Sequence, residues 1–453
     1  MSNAAGRPDD TPPLGTYRRA TPTVLAAGDE PRRSRNPLRK FFGLLGPGVI
    51  TGASDDDPSG IGTYSAAGAS LGYATLWTAL VTFPLMTAVQ YICAKVGMVS
   101  GQGLAGVLRR HYPRWVLYPA VALLVVANTI NAGADIGAIA AGVNLLVPIP
   151  QAWLIFPVGL AILVLQVWGS YRLIANTFKW LCLALLAYVG AAFLARPDWP
   201  AVVRGTLLPE IHFDTAYLVT LVAILGTTIS PYLFFWQTNQ EVEEEKALGR
   251  KRLWQRRGAT DRELRYAWWD VAAGMFFSNL VMYFIILATA ATLHRAGQTD
   301  IKDAAQAAEA LRPLVGDAAT VLRAVGLIGT GLLAVPILTA TGAYAVCEAF
   351  GWRSGLDERP RRAWQFYAIM AASTVVGLLL NYAGVNPISA LFWTAVLNGF
   401  LAPPLLVVLM LVAGNRAVMG RRVNGLTLNV LGWATTAIMF AAAAGLVLTW
   451  GRS

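Results

Sequence analysis

Eleven apolar stretches, separated by short polar segments, run along the chain from residue 43 to residue 450. They lie at 43–69, 74–98, 115–146, 152–170, 174–195, 216–238, 267–293, 320–349, 364–382, 388–413 and 427–450. Crossing the hydrocarbon core of a bilayer takes a helix of about 20 residues, so each stretch predicts a membrane span. Spans four and five are separated only by Gly169, Ser170, Tyr171 and Arg172. A chain patterned this way is expected to be an all-α membrane protein, because a helix satisfies its own backbone groups in lipid. Residues 1–40 are rich in Pro, Arg, Asp, Gly and Thr and lack apolar periodicity, which predicts a disordered basic tail. Residues 41–453 then form one transmembrane domain. No signal peptide is expected, since the first long apolar run starts near Phe41 without a small-residue cleavage site.

Composition sharpens this picture. Of 453 residues, 56% are apolar and 13% are charged, about half the charged share of a soluble domain. The net charge of +11 resides largely in alternate loops. Arg32, Arg33, Arg35, Arg39 and Lys40 precede span one; Arg109, Arg110 and Arg114 follow span two; Arg172 follows span four. Arg250, Lys251, Arg252, Arg256 and Arg257 follow span six, Arg353, Arg359, Arg361 and Arg362 span eight, and Arg416, Arg421 and Arg422 span ten. Basic loops face the cytoplasm, so the N-terminus is expected inside and the C-terminus outside a cell (inner) membrane. The positive charge then needs no nucleic-acid partner; the expected partners are the bilayer and a transported ion, with the chain a monomer. Glu241, Glu243, Glu244 and Glu245, followed by basic residues, predict a solvated hairpin or loop. Cys93, Cys182 and Cys347 lie far apart in apolar runs and predict packing residues, neither a disulfide framework nor a metal cluster. His111, His212 and His294 are placed in loops, so a histidine metal site within the membrane is not expected.

The candidate chemistry lies where two spans are interrupted. Asp55, Asp56 and Asp57 sit inside the first span, followed by Pro58, Ser59, Gly60 and Gly62. A carboxylate at membrane depth costs roughly 2.5–3.5 kcal/mol unless it lines a cavity or holds a partner. Proline removes a backbone donor and glycine loosens the chain, so the helix is expected to break there. The sixth span repeats the pattern with Gly226, Thr227, Thr228, Ile229, Ser230, Pro231 and Tyr232. These hydroxyls have an ordinary alternative use, bonding back to their own helix. The two interruptions nevertheless open corresponding halves of five spans each, as an inverted repeat requires, and such paired breaks point to a substrate site near the midplane. Freed carbonyls, hydroxyls and a carboxylate make an all-oxygen site suited to a hard divalent cation.

At these two breaks the chain resembles the Nramp family of divalent metal transporters, which have the LeuT-type fold. The resemblance runs through Gly46-Pro47-Gly48, Asp57-Pro58-Ser59-Gly60-Ile61-Gly62-Thr63-Tyr64, Ala67-Gly68-Ala69, Gly72-Tyr73 and Leu76-Trp77, and through Gly226–Tyr232. It implies a 5+5 inverted repeat, with repeats at 41–195 and 216–413 and an eleventh helix at 427–450. Asp57 matches the family's metal-binding aspartate. Gly60 stands where the family has a metal-binding asparagine, Ser230 replaces a methionine whose thioether contacts transition metals, and Thr227 replaces an alanine whose carbonyl does so. Asp57, Gly60, Thr227 and Ser230 are therefore the implied metal positions. Asp56, Ser59, Thr228, Tyr232 and Asn398 are implied contacts of a hydrated ion or of a gate, and Glu348 matches a glutamate treated as a gate or structural candidate. Loss of the soft ligand widens the site and favours Mg²⁺, with Mn²⁺ also passing, as in the Nramp-related magnesium transporters. The family's proton route uses an acidic pair on the third helix, histidines on the sixth and an arginine on the ninth. Asn131, Ala134, Tyr232, Gln237 and Gln365 occupy those positions here, with Asp135 adjacent, so transport is expected to be uncoupled from protons.

Asp55 and Asp56 point roughly 100° apart on a helix, so at most one is expected to share the aqueous face of Asp57. Two readings stand side by side: one of them holds a water of the hydrated ion or attracts it, or one caps the inner half-helix while the other faces a polar crevice. Three alternatives remain: a proton-coupled Mn²⁺/Fe²⁺ symporter in which Asp135 stands in for the relay, a sodium-coupled amino-acid transporter of the same fold, and a membrane-embedded aspartyl hydrolase. The last wants two aspartates on separate helices. Neither an enzyme nor a resident cofactor is expected.

Overall fold

A computed structural model describes residues 46–168, 183–301, 304–312, 316–384 and 386–449. The tail at 1–40, the Gly169–Arg172 connection, the start of span five and Cys182 lie outside the described residues. The first span is two helices, α1 (Pro47–Asp55) and α2 (Pro58–Leu71). Each starts with proline, whose missing N–H costs nothing in a first turn and whose ring blocks continuation of the preceding helix. Next come α3 (Trp77–Ser100), a short loop helix α4 (Leu104–His111), α5 (Arg114–Leu146), α6 (Gln151–Trp168), α7 (Ala187–Leu194) and α8 (Trp199–Leu207). The sixth span is again two helices, α9 (Thr215–Thr228) and α10 (Pro231–Ala247). The remainder is α11 (Asp261–Thr289), α12 (Ala319–Phe350), α13 (Trp364–Leu380), α14 (Pro387–Gly414) and α15 (Leu426–Thr449).

Among the described residues, eight helical segments are long and apolar enough to cross a membrane, and α6 is a shorter apolar helix. The expected spans thus appear in order, with span one divided and span five described only from Leu183. The α9–α10 pair is the centre of the bundle: 94% of its apolar window is buried, against 39% for α13 and for α15. Around it α5 packs on α12, α9 on α14, α10 on α3, and both halves of span one on α11. Gly226 and Gly399 allow α9 and α14 to approach backbone to backbone. Gly48 and Gly52 do the same for α1 against Gly274 of α11; a Cβ at 52 would fall inside the Gly274 carbonyl.

The basic loops gather at one end. His111, Arg257, Arg421 and Arg422, from three different loops, line one cavity of about 420 Å³, and Arg422 pairs with Asp261. Two loop expectations need correction. Glu241 and Glu245 are not solvated: they lie on the buried face of α10, 5% and 6% exposed. The helix runs on past its apolar stretch, because Gln237 donates to Glu241 at 2.8 Å and Arg250 donates twice to Glu245. His294 is not in a loop either. It ends the π-helical turn Ala290–His294 that closes α11, with Nδ1 at 2.8 Å from the carbonyl of Ala69.

Candidate cation site at two helix breaks

Helix α1 stops because Asp56 leaves helical geometry, at φ −84° and ψ 45°. Asp57, extended at φ −67° and ψ 169°, is the N-cap of α2. Its Oδ1 accepts from the Gly60 amide at 2.8 Å and the Ser59 hydroxyl at 2.6 Å. The Asp57 carboxylate therefore caps α2 and faces the positive end of its dipole. Its second oxygen receives Asn131 Nδ2 of α5 at 3.3 Å. The capping role expected of Asp55 or Asp56 at the inner half-helix falls elsewhere: α1 is capped by Asp270 of α11, which accepts from the amides of Gly46 at 2.9 Å and Gly48 at 2.6 Å.

The break of span six faces this carboxylate across Gly60. A Cβ placed at 60 would lie 3.3 Å from Thr227 Oγ1, 3.3 Å from the Tyr64 ring and 3.2 Å from the Asp55 carbonyl. Glycine there lets the two breaks approach closely, since a side chain would fit only if a neighbour shifted. The buried hydroxyls of Thr227 and Tyr64 meet beside it and interact with each other. Thr228 and Ser230 behave in the ordinary way. Thr228 bonds back to the Ile224 carbonyl at 2.8 Å, and Ser230 to those of Gly226 and Thr227, both at 2.8 Å. Their protons are used, although each hydroxyl oxygen keeps acceptor capacity.

The remaining expected contacts divide. Tyr232 donates to the Ser54 carbonyl at 2.8 Å, and Thr51 donates to Gln237, so α10 is bonded to α1 twice below the break. Asn398 is buried in α14, one residue before the Gly399 crossing with α9. Glu348 accepts from the amides of Gly103 and Gly106, both at 3.0 Å, and so caps α4. Asp135 is fully buried on α5, in the field of the Asp57 carboxylate and facing the Ser59 amide, with neither oxygen in a well-formed hydrogen bond. Asp55 and Asp56 both reach Ser278 of α11, at 2.5 and 3.3 Å. The prediction that they diverge is met only in that neither shares the partners of Asp57.

Three residues of this region were not singled out from sequence: Asp270, Ser278 and Arg323. Asp270 carried the clearest signal, a charge within the apolar run of α11. Ser278 carried none, as one hydroxyl in an apolar span is common. Arg323, 2% exposed in α12, donates to Ser65 and to Tyr188 on neighbouring elements; it is a charge near the start of the eighth apolar run.

Two interrupted helices in an all-α bundle, with buried acid at one break, define a multi-pass membrane protein with a candidate site between discontinuous helices. The fold is shared with Mhp1, a nucleobase-cation-symport-1 family transporter of the LeuT-type arrangement, in its inward-facing form (TM-score 0.53, 15% identity, 89% of this chain and 90% of that one). It is closer to the manganese transporter of Eremococcus coleocola (TM-score 0.69, 20% identity, 92% and 87%). Residues 48–449 match the family described as Nramp, natural resistance-associated macrophage protein-like, and the chain belongs to that family. Curated relatives include divalent metal cation transporters MntH of Deinococcus radiodurans (28% identical, 89% of each chain) and Klebsiella pneumoniae (29% identical, 90% of this chain and 94% of that one).

Proposed function

We propose that this protein moves divalent metal cations across the cell membrane by alternating access, with the ion held between the breaks of spans one and six. The observation that carries this reading is the Asp57 carboxylate, buried at the N-terminus of α2, with Thr227 of the second break close to Gly60. Asp57, Gly60, Thr227 and Ser230 form the site. Asp57 supplies charge, Thr227 and Ser230 supply neutral oxygens, and Gly60 lets the two breaks meet. Ser59 and Asn131 orient the carboxylate. The names of the MntH relatives and of the Eremococcus structure support a divalent cation as cargo. The two repeats, 41–195 and 216–413, would rock about the site in an inner membrane with the N-terminus cytoplasmic.

The cargo we favour is Mg²⁺, with Mn²⁺ admitted, bound with part of its water shell. No cluster of three or more His, Cys, Asp or Glu is poised to grip a bare ion among the described residues. Mg²⁺ dehydrates reluctantly and is held through one or two carboxylates, whereas a thioether that would favour softer metals is absent from both breaks. Uncoupled transport is supported by Tyr232 and Gln237, which spend their polar groups on α1 and Glu241 and do not titrate near neutral pH. The driving force would then be the ion gradient and the membrane potential, about 2.3 kcal/mol per charge per 100 mV.

The second reading is a proton-coupled Mn²⁺ or Fe²⁺ symporter. It is favoured by Asp135, a buried carboxylate beside Asp57 with no basic partner among the described residues. Liposome uptake of Mg²⁺, Mn²⁺, Ca²⁺ and Fe²⁺ with an internal pH probe tests both readings. The first expects Mg²⁺ and Mn²⁺ uptake without acidification and its loss in Asp57→Ala. Uptake surviving Asp57→Ala would remove the site, and metal-dependent acidification abolished by Asp135→Asn would establish the second reading.

A further inference from the structure

The first two members of the aspartate run face away from the partners of the third. Asp57 turns to α5 and to the first amides of α2. Asp55 and Asp56, on the end of α1, turn to α11, where a single hydroxyl, Ser278 Oγ, lies 2.5 Å from Asp55 Oδ2 and 3.3 Å from Asp56 Oδ1. A serine has one proton to donate, so it serves one of these carboxylates at a time. Asp55 Oδ1 is buried with no partner at all. No Lys, Arg or His pairs with either carboxylate among the described residues. A separate side chain points to the same place. The Tyr64 hydroxyl of α2, fully buried and without a well-formed hydrogen bond, sits in the field of the three aspartates, that of Asp55 foremost. Two adjacent buried carboxylates, with a phenol oxygen nearby, lack a counter-charge among the described residues.

We propose that Asp55, Asp56 and Ser278 form a second cation subsite against α11, beside the Asp57 site, with the Tyr64 hydroxyl between the two. Its donors are all oxygen and its charge is −2, which suits a hard divalent cation that keeps part of its hydration. The subsite rests on the proposed transport of such ions only for the class of cation. It offers an incoming ion a place to wait while the Asp57 site is occupied, and repulsion between two bound ions would speed release of the first.

Mn²⁺ binding to the purified full-length protein, read from the electron paramagnetic resonance signal of free Mn²⁺, tests it. Wild type is expected to bind two Mn²⁺ per chain, both displaced by Mg²⁺; the double variant Asp55→Asn/Asp56→Asn is expected to bind one, and Asp57→Ala one. Asparagine keeps the shape of aspartate and removes buried charge, so thermal unfolding of the double variant should match or exceed wild type. If it does not fold, Ser278→Ala decides, with an expected tenfold weakening of one of the two sites. A wild-type count of one, an unchanged count in the double variant, or, where the double variant fails, unchanged affinity at both sites in Ser278→Ala, overturns the subsite. A count that falls in the double variant but not in Asp57→Ala keeps the subsite and overturns the Asp57 reading.

Discussion

At position 60 a missing side chain matters more than most present ones. The nearest atoms to an added Cβ lie 3.2–3.3 Å away, the Asp55 carbonyl nearest, so a side chain fits only if its neighbours give. Gly60→Asn is expected to add a neutral ligand where the two breaks meet and shift the ratio of Mg²⁺ to Mn²⁺ uptake several-fold toward Mn²⁺. Competition uptake in liposomes measures that ratio; an unchanged ratio would mean that position 60 does not set ion choice. Thr227→Val keeps shape and removes the hydroxyl that meets Tyr64. It should weaken metal binding and cost about 1 kcal/mol of stability, read from the melting temperature. Asp57 and the small residues of the sixth span were legible in the sequence because acid, proline and glycine inside apolar runs violate local rules. Ser278 was not, since its importance comes from which helix it faces, and neither Ser278 nor its neighbours encode that.

Helix α1 is held to α11 by close backbone contact at Gly48, Gly52 and Gly274 and by the Asp270 cap. Gly52→Ala forces a methyl group against the Gly274 carbonyl, so overpacking of roughly 1–3 kcal/mol is expected. The melting temperature of the purified protein would report it. Asp270→Asn keeps one acceptor and loses the charge that complements the helix N-terminus, at a cost of about 1 kcal/mol. The breaks and their order were visible along the chain because hydropathy and proline act locally. The extent of α10 was not. Its last turns are polar, and only neighbouring helices make Glu241 and Glu245 a buried face.

The bundle as a whole places the loops after spans two, six and ten at one end, as the charge pattern required. With the natural cysteines replaced, a cysteine introduced at Gln151 should react with an impermeant thiol reagent from outside the cell, and one at Arg257 only after permeabilisation. The reverse pattern would invert the proposed orientation. One feature of this end has a mechanical side. Gly46 is the first described residue, directly after the preceding chain, and its amide donates to Asp270. Any pull on that chain loads the Asp270 bonds before it reaches the rest of α1. A bulky domain fused just ahead of Gly46 should therefore slow uptake, and more in Asp270→Asn than in wild type, whereas the same fusion after Ser453 should leave the rate unchanged. The N-terminal segment would then be a lever on α1, with the Asp270 carboxylate as its catch.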